Sequence, residues 1–142
     1  MAVSAVPATG TGRVRALWAP LGVAGLALAA TTYVGLVDPN ESGHYPTCPF
    51  LALTGQFCPG CGSLRAVHAL TSGDLGTAIS LNVLTVAAVV VLAGLWVRWL
   101  VLRWRGEPRR AIAPAWTLYL LLGVIAIFWV VRNLPVGEAL AP

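Results

Sequence analysis

Polar positions in this chain are gathered into a few short segments, and between them run three stretches that are apolar on every face. Leu17 to Val37, Leu75 to Val97 and Ala111 to Val131 each contain no charged residue. A bilayer core about 30 Å thick is crossed by about 20 apolar residues rising about 1.5 Å each, so each stretch is long enough to span it. The first part of the second stretch is less lipid-like, because Gly76, Ser80 and Asn82 interrupt it. The pattern there predicts an interfacial helix from Leu75 to Asn82 that leads into a shorter span.

The expected architecture is an all-α membrane protein, with three transmembrane helices plus a short interfacial or re-entrant helix after a Cys-Pro-Gly-Cys turn. As a single membrane domain, residues 1–142 divide into a flexible tail 1–16, a span 17–37 and an outer loop 38–82. A span 83–102, an Arg-rich loop 103–110, a span 111–131 and a tail 132–142 follow. Aromatic anchors mark the ends. Trp96, Trp99 and Trp104 interleave with Arg98, Arg103 and Arg105, Trp116 and Trp129 lie near opposite ends of the third span, and Arg132 is placed to snorkel at its exit.

Composition points the same way. The chain is 58% hydrophobic and 10% charged, whereas a soluble domain is about a quarter charged and needs that surface to meet water. The net charge of +4 comes from nine arginines and no lysine. Seven of the arginines flank apolar runs, the placement of topology-setting charges and not of a nucleic-acid-binding stripe. Such composition also hints at a GC-rich bacterial genome.

Arg13 and Arg15 precede the first span, and Arg98, Arg103, Arg105, Arg109 and Arg110 follow the second, while the loop between those spans has only Arg65 beside Asp38, Glu41 and Asp74. The positive-inside rule then predicts a cytoplasmic N-terminus, with the cysteine loop and C-terminus outside, in a bacterial plasma membrane. Arg13, Arg15 and the small residues Ala27 and Ala29 also resemble a cleavable signal peptide. The apolar run continues to Val37, longer than a usual signal core, so a retained anchor is the expectation.

The outer loop carries the chemistry. Pro39, Gly43 and Pro46 break helix. A short apolar stretch from Cys48 to Phe57, expected at the interface, leads to Cys58-Pro59-Gly60-Cys61-Gly62. Pro59 followed by Gly60 suits a type II turn, which brings Cys58 and Cys61 together. Ser63 is a plausible N-cap for a helix from Leu64 to Ser72, with Gly73 beyond its end and Asp74 capping the next helix. On that helix Cys61, Arg65, His68 and Ser72 share a face, so a thiol, a guanidinium and an imidazole are expected to converge.

Cys48-Pro49-Phe50, Cys58-Pro59-Gly60-Cys61-Gly62, Arg65-Ala66, His68-Ala69-Leu70, Gly73-Asp74 and Leu81-Asn82 together resemble the signature of the bacterial membrane-protein family called domain of unknown function 2752. Family members commonly have Gly-Thr-Arg where this chain has Ser63-Leu64-Arg65, and Asn-Pro where it has Asn82-Val83. The resemblance implies a small multi-pass membrane protein and implies no reaction.

Three readings of the cysteines stand side by side. A disulfide from Cys48 to Cys58 or Cys61 would staple the loop, as is usual for exported segments. That suits an accessory module packing with another membrane protein or with a second copy, a role more in keeping with the sequence than catalysis. Cys48, Cys58 and Cys61, with His44 or His68, would make a tetrahedral zinc site. Cys58 and Cys61, with Cys48 as resolving thiol, would serve thiol–disulfide exchange at the membrane surface. Arg65 and His68 form a weaker candidate anion or headgroup site, with Asp74 and Asn82 as structural neighbours. His68 alone reads as a hydrogen-bonded interfacial histidine. No phosphate loop, His-Glu-x-x-His or nucleophile elbow is present. Partners are otherwise the bilayer, and the apolar spans lack the interior charges of a proton relay.

Overall fold

A computed structural model describes residues 10–41, 43–107 and 114–141, and no strand occurs among them. The elements are α1 (Gly10–Leu36), α2 (Pro49–Thr54), α3 (Ser63–Thr71), α4 (Leu75–Arg105), α5 (Ala115–Arg132) and a closing 3-10 turn, Pro135–Leu140. Within α1 the stretch Leu17–Leu36 is long and apolar enough to cross a membrane, as are α4 and α5. The expected all-helical class with three spans and a short helix after the cysteine turn is what the chain forms. The tail to residue 9, Arg109, Arg110 and the expected start of the third span at Ala111 lie outside the described residues, as do the side chains of Arg13 and Arg15.

Burial runs opposite to that of a soluble protein. Among the described residues the largest fully buried side chains are Arg132, Asn82 and Pro20, while Leu26, Leu28, Val90, Leu92 and Ile127 are exposed. In water such an arrangement would leave the hydrophobic effect unused and two polar groups dehydrated. In a bilayer the exposed apolar faces meet lipid, and the polar side chains gather where backbone needs partners.

α3 packs on both α4 and α1. Its start at Ser63 follows Gly62, whose φ of 80° is a left-handed value that favours glycine. Its end is a Schellman motif: Asp74 N–H donates to Ala69 O at 2.9 Å and Gly73 N–H to Leu70 O at 3.1 Å, with Gly73 at φ 77°. Asp74 then caps α4, accepting from Thr77 N–H at 2.9 Å. Ala66 and Ala69 of α3 and Ala78 of α4 are buried, and side chains this small let the helices approach closely. At Gly35 of α1 an added Cβ would stand 3.1 Å from Thr71 Oγ1, so the α1 backbone closes directly on the Thr71 side chain of α3.

α4 is two helices in series. Asn82 has extended backbone, φ −166° and ψ 94°, between helical segments. Its side-chain oxygen accepts from Thr85 N–H at 3.0 Å, the bond an N-cap makes to the first turn of a new helix. The break thus forms with Val83, and no proline, after Asn82. The second segment continues to Arg105 and stops at Gly106, φ 70°. Inside it, Trp96 is more than an interfacial anchor: its indole N–H donates to Pro20 O of α1 at 3.0 Å.

α5 is attached chiefly through the cysteine loop. The Asn133 side chain meets the Phe57 backbone twice, accepting from its N–H and donating to its O, both at 2.9 Å. Phe50 of α2 packs edge-on against Trp129, with ring centroids 5.7 Å apart.

Candidate functional site

The three cysteines reach one point from three pieces of backbone. Cys48 is the N-cap residue of α2, where Pro49 sits without loss at the first helical position. Cys58 and Cys61 bracket a turn closed by Cys61 N–H donating to Cys58 O at 3.1 Å. This turn is not the expected type II: among the turn glycines Gly62 has positive φ and Gly60 does not. The left-handed residue therefore lies after Cys61, where it also launches α3. Ser63 is accordingly the first residue of that helix, not its N-cap. Its hydroxyl instead hydrogen-bonds Thr85 Oγ1 at 2.7 Å.

Cys58 Sγ lies 3.1 Å from Cys61 Sγ and 3.5 Å from Cys48 Sγ, and all three sulfurs fall within 4.8 Å of one another. All are free thiols. The Cys58 backbone N–H donates to Cys61 Sγ at 3.2 Å. A tetrahedral ion with metal–sulfur bonds of about 2.3 Å needs its sulfurs about 3.8 Å apart, so modest rotation of the side chains admits one. The donor set is soft and suits a thiophilic divalent ion.

Two side chains hold this arrangement from below. Buried Asn82 donates through its amide nitrogen to Pro59 O at 2.9 Å and Cys61 O at 3.1 Å, with Ser63 Oγ at 3.3 Å. Arg132, from the end of α5, is only 2% exposed. It donates to Leu81 O at 3.2 Å and Cys58 O at 3.4 Å. Its guanidinium carbon lies 5.7 Å from the centroid of Phe57 and 5.4 Å from that of Phe128. Its Nε has no partner among the described residues. The expected snorkelling of Arg132 is corrected here: the side chain turns inward because unpaired carbonyls at the break in α4 and at the cysteine turn need donors. No described carboxylate side chain lies within ion-pair distance of it, the side chain of Glu138 lying outside the described ones.

The thiols differ in environment. The backbone N–H of Leu51, in the first turn of α2, together with the Cys58 thiol holds Cys48 below its ordinary pKa. Burial, reinforced by the neighbouring Cys58 thiol, pushes Cys61 up to about 12.

The histidines do not join the cluster. His44 is exposed, and the group of convergent ligand atoms contains no histidine among the described residues. His68 is turned toward α1: its Nδ1 is 2.8 Å from Val34 O and its Nε2 3.9 Å from Asp38. The shared face expected for Cys61, Arg65 and His68 divides, because α1 offers an unpaired terminal carbonyl on the His68 side. Arg65 does border the cysteines, on the wall of a cleft of about 480 Å³ to which Cys48, Cys58, Cys61 and Tyr45 also contribute. Asp74 and Asn82 serve as caps, and Asn82 alone of the two touches the cysteine turn.

Sequence reasoning missed Arg132 and Asn133 as site residues. The signal was available: an arginine at the end of a span on the lysine- and arginine-poor side runs against the positive-inside pattern and asks for a local reason.

Comparison with the curated proteins and with the solved structures found no match. Residues 48–96, from the first cysteine into α4, match the model of a family described as a protein of unknown function, DUF2752.

Proposed function

We propose that the chain is an accessory multi-pass membrane protein whose outer loop binds one divalent ion of the zinc class through Cys48, Cys58 and Cys61. The observation that carries this is the convergence of all three sulfurs within 4.8 Å. A disulfide staple needs two of them and leaves the third without a reason to be there. A metal uses all three, ties α2 to the start of α3, and protects the thiolates from oxidation. The charge balance supports it. Three thiolates on a divalent ion carry one net negative charge, and buried Arg132, which donates to Cys58 O at 3.4 Å, supplies the matching positive one. In this reading the ion closes the loop, and the loop holds α5 to α4, so the metal stabilises the whole bundle.

The distribution of arginines supports an N-terminus in the bacterial cytoplasm and a cysteine loop outside it. The same loop would then dock against another membrane component or a second copy.

The test is elemental analysis together with thiol counting on protein purified under native redox conditions. One zinc per chain with three protected thiols is expected. A Cys58–Cys61 or Cys48–Cys58 disulfide and no metal would overturn the proposal in favour of a staple or an exchange site. Labelling of Cys58 by an impermeant maleimide only from the cytoplasmic side would overturn the orientation.

A further inference from the structure

We infer that the metal proposed above keeps one coordination position open to the cleft, and that this position takes a small monoanion with a metal-binding donor atom, held by Arg65. The inference rests on the metal-thiolate reading and extends it from a closed structural site to a ligand-binding one.

Three observations lead there. First, the protein offers three convergent ligand atoms and no fourth among the described residues. Four-coordinate zinc with three protein ligands completes its shell with water or an exogenous ligand. Second, the cluster is not sealed. All three cysteines contribute to the wall of the cleft of about 480 Å³, a size suited to a small molecule. Structural zinc sites are ordinarily closed by their own ligands.

Third, the positive charge is greater than a three-thiolate site requires. Arg132 balances the single negative charge of the metal and three thiolates. Arg65 is a second guanidinium, and it lines the cleft together with the three cysteines. No described carboxylate side chain pairs with it within 4.0 Å, although Glu41 stands on the exposed rim of the same cleft. A second guanidinium on the wall beside the cluster is stabilised by one more anion, and the free coordination position is where that anion gains a bond as well as a counter-charge. A neutral ligand would leave Arg65 unmatched. A dianion would exceed the available charge.

Cobalt(II) substitution tests this, since its visible bands report coordination directly. The wild-type chain in detergent is loaded with cobalt(II) and titrated with azide and with thiocyanate. The expected result is saturable change in the d–d bands at one cobalt per chain. Arg65→Met should bind cobalt with the same stoichiometry and thiolate charge-transfer bands but require at least tenfold more azide. Bands unmoved by either anion would overturn the open position while leaving the metal site standing. Equal azide affinity in Arg65→Met would overturn the role of Arg65. Failure to bind cobalt at all would overturn the metal reading and this inference with it.

Discussion

Replacing Asn82 by alanine gives the sharpest test of how the site is held. The wild-type amide caps the second segment of α4 through Thr85 N–H at 3.0 Å and donates to Pro59 O and Cys61 O at 2.9 and 3.1 Å. Loss of the cap costs about 1 kcal/mol. Each carbonyl left buried without a donor costs about 1–3 kcal/mol, so the variant should lose roughly 3 kcal/mol at the low end. Alanine also favours a continuous helix through position 82, which would carry the cysteine turn away from its support. Local opening exposes Cys61, and each 1.4 kcal/mol raises the open population about tenfold, so its labelling should accelerate roughly 100-fold. The assay is maleimide labelling of reduced, chelator-treated protein in detergent, with Cys61 read by peptide mass spectrometry. Labelling within about twofold of wild type would refute the view that Asn82 holds the turn, since even one orphaned carbonyl predicts more.

Arg132→Lys should bind zinc at least tenfold more weakly than wild type in a chelator competition, because an ammonium cannot reproduce donation to both Leu81 O and Cys58 O. His68→Ala should leave zinc stoichiometry unchanged and lower the denaturation midpoint, removing one hydrogen bond to Val34 O worth about 1 kcal/mol. In metal-free protein, Cys48 should be alkylated before Cys61 at neutral pH, as the lowered and raised pKa values of the two thiols require. The Cys61 shift also sets a pH limit. Its folded-state value is raised from 9.0 to about 12, so the folded form prefers the neutral thiol; stability is full below pH 9.0 and falls as pH rises toward about 12. Denaturation of the metal-free protein across that range checks the sign.

The membrane character of the chain was legible because lipid exposure is a property of composition and run length. Leu17–Leu36, α4 and α5 are apolar on all sides, and no arrangement of the remaining polar residues could enclose them. The short helix after the cysteine turn was legible too, since Gly73 and Asp74 are local stop and start signals whose geometry involves only near neighbours.

What the sequence alone determined is therefore the class of fold, the three helices long and apolar enough to span a membrane, and the segment that carries the cysteines. Where local signals competed, tertiary contacts decided. Pro59-Gly60 permits a type II turn, yet the positive φ went to Gly62 because α3 must start there to pack on α4. His68 shares a helical face with Cys61, yet the end of α1 supplied a nearer acceptor. Arg132 stands 71 positions beyond Cys61 in the chain and carries no local mark of its role. Only the packing of α5 against the cysteine loop brings its charge beneath the sulfurs, since a buried guanidinium goes where carbonyls and negative charge are unmet, and those are properties of the assembled backbone.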